Sequence, residues 1–343
     1  MATIRDVARE AGASISTVSK ALNGSNLISK ERADHIKAVA KEMGYRPNAR
    51  AQAFAKKAAR TIIFLARLDK NVAFENPHMF EILTGVAASL RAKNYGLTLQ
   101  HCDTKETVAI AKDVISSKSA DGLIIHASVV SRELSVLLSR EKLPHIVIGK
   151  PDFLNSLCWI DNSNRLAGEI AAKRLLDFGH KKIALICSYK YDNISEDRLS
   201  GARTELSSLE TVHVLRGEST IEEGERMGAD MLALPERATA VICTNNYLAV
   251  GCLRAFSRHN IRVPDDISII TFDEYTLAKF TDPPLTTVNI DVYDLGVQAG
   301  KLLLNKVSQP SLRVQSYSTL PVLIDRQSVK PAAINAHCPG RGQ

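Results

Sequence analysis

The sequence predicts a small helical head followed by an α/β body folded as two doubly wound lobes. Three observations carry this prediction. Three short amphipathic helices fit before Pro47, the whole net charge of the chain lies in the first 60 residues, and from Thr61 onward short apolar runs alternate with helical patterns. At 343 residues the chain exceeds one typical core and suits a head plus about two further domains.

In the head, Thr3 followed by Asp6 makes a capping-box-like start, and Ile4, Val7, Ala8 and Ala11 fall on one face of the helix that Gly12 ends. Ser14 caps a second helix carrying Thr17, Val18, Ala21 and Leu22. A short helix, a glycine turn and another short helix are the spacing of a helix-turn-helix. Ser29 caps a third helix whose stripe is Ile36, Val39, Ala40 and Met43, closed by Gly44 and then by Pro47.

Spacing alone suits a structural mini-bundle as well as a DNA reader, and charge separates the two. Residues 1–60 hold 12 of the 44 basic and 5 of the 37 acidic residues; the remaining 32 and 32 cancel, so the net +7 belongs to the head. That is a head for a polyanion on a neutral body. The N-terminal end of the second helix of such a motif meets base edges in the major groove. Ile15 is therefore expected to touch a thymine methyl, Ser16 to hydrogen-bond a base, and Lys20 to reach guanine one turn further on. Thr3, Thr17, Ser19, Asn23 and Asn26 are expected to hold phosphates.

The stretches ATIRDVAREAGASISTVSKALN and GYRPNARAQAF are similar to the operator-binding head of the lactose repressor (LacI/GalR) family of bacterial transcription regulators. DGLII at Asp121, WIDNSNRLAG at Trp159, GHKKIALI at Gly179, NNYLAVGCLRAF at Asn245, RVPDDISIITFDE at Arg262 and DPPLTTV at Asp282 extend the resemblance to about residue 328. It implies that the segment from Ala49 to Lys56, about two turns and too short to be a stable helix alone, is a hinge helix that folds on operator DNA. Asn48, Ala51 and Phe54 would then enter the minor groove, with Phe54 in place of the family's leucine wedge.

The resemblance also implies a periplasmic-binding-protein-like body with three crossovers near Trp159-Ile160, Ile290 and Leu320. The expected organisation is a helix-turn-helix domain over 1–47, a hinge and linker over 48–60, an effector-binding and dimerisation domain over 61–330, and a tail over 331–343. The lobes would be 61–159 with 291–319, and 160–290 with 320–330. The tail shows no heptad, so the expected assembly is a homodimer.

Ligands of doubly wound sheets bind at the carboxyl ends of strands. That rule selects His78, Met79, Lys150, Arg198, Asn245 and Asp273. By resemblance Arg198, Asn245 and Asp273 match effector-binding positions, and His78, Met79 and Phe80 sit where the family often has an aromatic wall. The expected effector is a sugar or sugar derivative, although Lys150 and a compressed stretch over 198–214 set it apart from the common neutral sugars. Each strand-end residue also has a plain structural role open to it: Arg198 as partner of an acid such as Glu196, Asn245 and Asp273 as helix caps.

No GxGxxG after a strand, GxxxxGK[ST], HExxH or GxSxG occurs, so no enzyme is expected. The six cysteines lack CxxC or His spacing, which predicts reduced thiols and neither metal nor other cofactor. No apolar run approaches bilayer length and the start lacks the apolar core of a signal peptide, so a cytoplasmic, nucleoid-associated bacterial repressor of carbohydrate-use genes is expected, acting on a pseudo-palindromic operator. The competing reading is a sugar-binding receptor module with no role at DNA.

Overall fold

The computed structural model describes residues 2–22, 27–45, 59–68, 77–141, 143–189, 193–209, 212–312 and 316–332. Asn23, Asn26, Asn48, Ala51 and Phe54 lie outside the described residues. The head holds α1 (Ile4–Glu10), α2 (Ile15–Leu22) and α3 (Lys30–Glu42). Thr3 and Asp6 cap α1 reciprocally: the Thr3 backbone N–H donates to Asp6 Oδ2 at 2.9 Å, and the Asp6 N–H to Thr3 Oγ1 at 3.4 Å. Gly12 (φ 56°) and Gly44 (φ 62°) take the left-handed conformation after α1 and α3. The following residues, Ala13 and Tyr45, donate back to Ala8 and Ala40 carbonyls at 2.9 Å, satisfying last-turn acceptors.

Val7, Val18, Ala21, Ile36, Val39 and Ala40 form the buried centre of the head. Two expectations change. Ser29 makes no side-chain capping bond, because only its carbonyl is engaged, by the Ala33 N–H at 3.0 Å. Met43 is half-buried, since it is the capping residue just beyond α3, where the small core runs out.

The first lobe carries strands β1 (Thr61–Ala66), β2 (Gly96–His101), β3 (Gly122–His126), β4 (His145–Ile148), β5 (Trp159–Asn162) and β11 (Tyr317–Thr319), in the order β2-β1-β3-β4-β5-β11. The second carries β6 (Ile183–Ser188), β7 (Val212–Gly217), β8 (Ala240–Cys243), β9 (Ser268–Phe272), β10 (Thr286–Asn289) and β12 (Val322–Ile324), in the order β7-β6-β8-β9-β10-β12. Among the described residues only the β10–β12 pair is antiparallel. Strands β4, β6, β8 and β9 are buried throughout, as parallel strands covered on both faces must be. The edge strand β2 differs, and its Leu99 is exposed.

Helices α4 (Pro77–Arg91), α5 (Thr107–Ser117), α6 (Arg132–Arg140) and α12 (Val292–Ser308) pack on the first sheet. Helices α7 (Asn164–Asp177), α8 (Asn193–Glu205), α9 (Ile221–Leu232), α10 (Asn246–Arg258) and the short α11 (Thr276–Lys279) belong to the second. In each sheet the chain steps one way and then reverses, leaving a switch point between β1 and β3 and another between β6 and β8. The chain changes sheet after β5, after β10, and between β11 and β12. The first crossing falls later than the boundary at 159/160 read from the sequence, because Ile160 pairs with Ile148 and β5 continues to Asn162.

Helices α7 and α8 touch backbone to backbone through Gly168 and Gly201. A Cβ on Gly168 would overlap the Arg198 carbonyl, and one on Gly201 the Arg165 carbonyl. This approach sets how deep α8 lies. Cys102, Cys158, Cys187, Cys243 and Cys252 are buried and unlinked, and no described helix is long and apolar enough to cross a membrane. Gly201→Ala is expected to force the two helices apart and cost about 3 kcal/mol, read as a lowered urea midpoint; an unchanged midpoint would show that the crossing yields freely.

Candidate functional site

On the head, Ile15 opens α2 with 46% of its surface exposed, and Ser16 and Lys20 are exposed beside it, while Val18 and Ala21 are buried. The alternation follows from the helical period: positions 18 and 21 face α1 and α3, so 15, 16 and 20 face outward. Thr17 is less free than the sequence suggests. Its N–H donates to Ser14 Oγ at 3.1 Å, and the two hydroxyls lie 2.8 Å apart. Thr3 is exposed but its hydroxyl donates to Asp6, and Ser19 is half-buried.

In the body, the strand ends converge on Arg198. The side chain is 2% exposed, and four bonds hold it. Nε donates to Asn164 Oδ1 at 3.1 Å, Nη1 to the Thr244 carbonyl at 2.7 Å and to Asp273 Oδ2 at 3.0 Å, and Nη2 to Asp273 Oδ1 at 2.9 Å. The guanidinium also stacks over Phe272 at 4.6 Å. Asp273 follows β9 in the left-handed conformation (φ 68°), with its N–H bonded to the Val288 carbonyl at 3.0 Å. A buried charge is tolerated when it is paired in this way. Arg198 and Asp273 are thus brought together, but as partners of each other; the acid partner is Asp273, while Glu196 binds Arg216.

The other strand-end residues divide. Asn245 caps α10, accepting the Leu248 N–H at 3.0 Å, and its amide donates to Ser219 Oγ at 3.1 Å. Met79 is 4% exposed and belongs to the core with Ile82 and Val86, so it is no wall of a cleft: the period of α4 points it at the sheet. Phe80 on the same turn is 54% exposed, and His78 is half-buried. Lys150 is exposed; its N–H donates to Asp161 Oδ2 at 2.9 Å and its ammonium lies 5.8 Å from the Trp159 ring centre.

Sequence reasoning missed several groups here. Asn164 and Thr244 hold Arg198, and their place at a helix start and a strand end was the available signal. Glu81, Asp161 and Asp197 bring carboxylates from both lobes. Burial pushes the Asp161 carboxyl up, against N–H bonds from Lys150 and Asn162, with Asp197 adding to the rise; burial, Asp273 and Asp291 raise Glu81. Burial lowers His126 to about 4, with His78 adding to it, so that ring is neutral near pH 7. Glu274 is pushed up by burial, yet Arg326, Thr287 and Lys279 outweigh this and hold it at about 2.

A helix-turn-helix head joined to a two-lobed body with a polar crevice defines a ligand-responsive DNA-binding regulator. Residues 3–48 match the family described as bacterial regulatory proteins, lacI family, and residues 172–329 match the periplasmic binding protein-like domain. The HTH-type transcriptional repressor PurR of Haemophilus influenzae (strain PittEE) is 31% identical over 341 residues, covering 96% of this chain and 99% of that one. Among solved structures, the lac repressor dimer bound to operator and the anti-inducer ONPF shares the fold with a TM-score of 0.81 at 21% identity, over 96% of this chain and 99% of that one. The transcriptional regulator CelR in complex with cellobiose does so with a TM-score of 0.69 at 24% identity, over 96% and 100%. The chain belongs to the lacI family of bacterial transcription regulators: it is a DNA-binding repressor and not an enzyme.

Two outcomes follow from the ion pairs. Arg198→Met strands a buried Asp273 carboxylate and is expected to cost about 3–5 kcal/mol, part of which Asp273→Asn in the same chain restores; urea unfolding of the single and double variants checks this. Glu274 has a folded pKa near 2 against an ordinary 4.5. Its contribution is therefore complete above about pH 4.5 and lost as pH falls toward 2. In Glu274→Gln, unfolding free energy measured across that window should fall less steeply than in the unaltered chain.

Proposed function

We propose that the chain is a homodimeric repressor of carbohydrate-use genes, released from or locked onto a pseudo-palindromic operator by a small carbohydrate that binds between the lobes. The observation that carries the DNA half is the exposed Ile15, Ser16 and Lys20 edge of α2 on a head that holds the whole net charge of the chain. An apolar side chain left exposed at the start of a recognition helix suits a thymine methyl, and Lys20 suits guanine O6 or N7. The family's hinge segment, with Phe54 as wedge, belongs to the same proposal.

The carbohydrate half is supported by relatives of the same fold described with cellobiose and with ribose bound. Homodimerisation is supported by the lac repressor dimer and by exposed apolar side chains such as Phe280, 83% exposed, on the second lobe. The mechanism is linkage. A ligand that favours one closure state of the lobes alters the relation of two heads across a twofold axis, and so the affinity for DNA.

Selection of bound sequences from a random duplex pool by the full-length protein tests this reading. A recovered palindrome is the expected result, and salt-sensitive binding without sequence preference would defeat it. Lys20→Ala is expected to cost about 1–3 kcal/mol of operator binding and to relax preference at one base position; equal loss on all sequences would reduce Lys20 to a phosphate contact.

A further inference from the structure

The chain enters its body through a clamp at the amino ends of three parallel strands, the end of the first sheet away from the crevice. Thr61, Gly96 and Gly122 open β1, β2 and β3, which lie side by side in the order β2-β1-β3. Ala59 and Arg60 precede β1, so the strand ladders leave their N–H groups to other acceptors. The half-buried carboxylate of Asp121 takes both: the Ala59 N–H donates to Oδ1 at 2.9 Å and the Arg60 N–H to Oδ2 at 2.7 Å. The Asp121 N–H donates in return to the Thr61 carbonyl, and the Gly96 N–H to the Arg60 carbonyl, each at 2.9 Å. Two charge-assisted bonds and two backbone bonds therefore fix the segment 59–61 to both neighbouring strands.

The backbone of Arg60 shows how firm this hold is. It is left-handed, at φ 53°, a conformation that disfavours residues other than glycine and persists only where the surroundings over-determine it. The Arg60 guanidinium lies over the Tyr95 ring at 5.0 Å, one residue before β2. The chain thus leaves the body for residues 48–58 and the head at a fixed point and in a fixed direction. A carboxylate serving only its own strand would bond within its own segment. Asp121 stands before β3 and spends both oxygens on the segment before β1.

We infer that Asp121 is the positioning residue of the linker: by fixing where the chain leaves each body, it sets the half-site spacing that two heads accept. The inference rests on the reading that a homodimer grips a pseudo-palindromic operator. Without the carboxylate, Ala59 and Arg60 join the tether, and two extended residues add up to about 7 Å of reach. Duplex DNA rises about 3.4 Å per base pair, so each head gains about two base pairs of travel. A longer tether also lowers the effective concentration of the second head at its half-site once the first is bound. Affinity for the correctly spaced palindrome falls and tolerance of other spacings rises, although no residue at the DNA has changed.

The test measures binding of the full-length protein to the palindrome it selects, to the same duplex with one or two base pairs inserted at its centre, and to a single half-site. In the unaltered chain one inserted pair is expected to cost about a hundredfold in affinity. Asp121→Ala should weaken binding to the selected palindrome about tenfold, shrink the insertion penalty below about tenfold and leave half-site affinity within about twofold. Asp121→Asn keeps the shape and one acceptor oxygen, so it should fall between the two, and it carries the test if urea shows that Asp121→Ala unfolds. An Asp121 that only stabilises the body would lower the urea midpoint and leave the ratio of affinities among the duplexes unchanged. That unchanged ratio in both variants, or an equal loss on palindrome and half-site, overturns the inference. An unaltered chain that selects no palindrome or ignores spacing would defeat the homodimer reading itself, and the inference with it.

Discussion

The guanidinium of Arg198 is the group around which the second lobe is assembled. An ion taken out of water costs several kcal/mol unless its partners are already in place, and three segments supply them. Asp273 comes from the end of β9, Thr244 from the end of β8, Asn164 from the start of α7 and the Phe272 ring from β9 itself. None of these is near Arg198 in sequence, so the pair forms only when the sheet, both helices and the left-handed turn at Asp273 are all correct. The glycine contact between α7 and α8 belongs to the same requirement, because a wider crossing would withdraw Arg198 from Asp273.

That assembly sits on the path between the lobes. Asn164 lies two residues beyond the end of β5, the last strand of the first sheet before the chain crosses. A rotation of one lobe against the other about this crossover acts on the residue that holds Arg198 Nε. On the opposite side, Glu274 follows Asp273 and binds Arg326, beyond β12 and the third crossover, at 2.7 Å. Two consecutive acids after β9 thus answer to two different crossovers.

The fold was legible because its signals are repeated. Strands β1, β3, β4, β6, β8 and β9 are apolar runs buried on both faces, and no other element type combines that length with that composition. The head was legible through caps and glycines, and Gly12 and Gly44 occupy the left-handed positions their places after α1 and α3 suggest. Strands β5, β10, β11 and β12 are harder to read because they are three or four residues long, and all but the apolar β12 mix polar with apolar side chains. They form where two sheets end and the chain crosses, so tertiary pairing, not local pattern, makes them strands. The first crossing follows Asn162, two residues beyond the Trp159-Ile160 step named from the sequence.

Strand ends pointed to Arg198, Asn245 and Asp273, and a sequence does not reveal whether such groups serve a ligand or one another. Arg198 and Asp273 serve one another, and Asn245 serves the first turn of α10. Glu81, one acid on an amphipathic helix, Asp161, within a short strand, and Asp197, the neighbour of the arginine, look ordinary in the sequence, yet burial raises all three carboxyls.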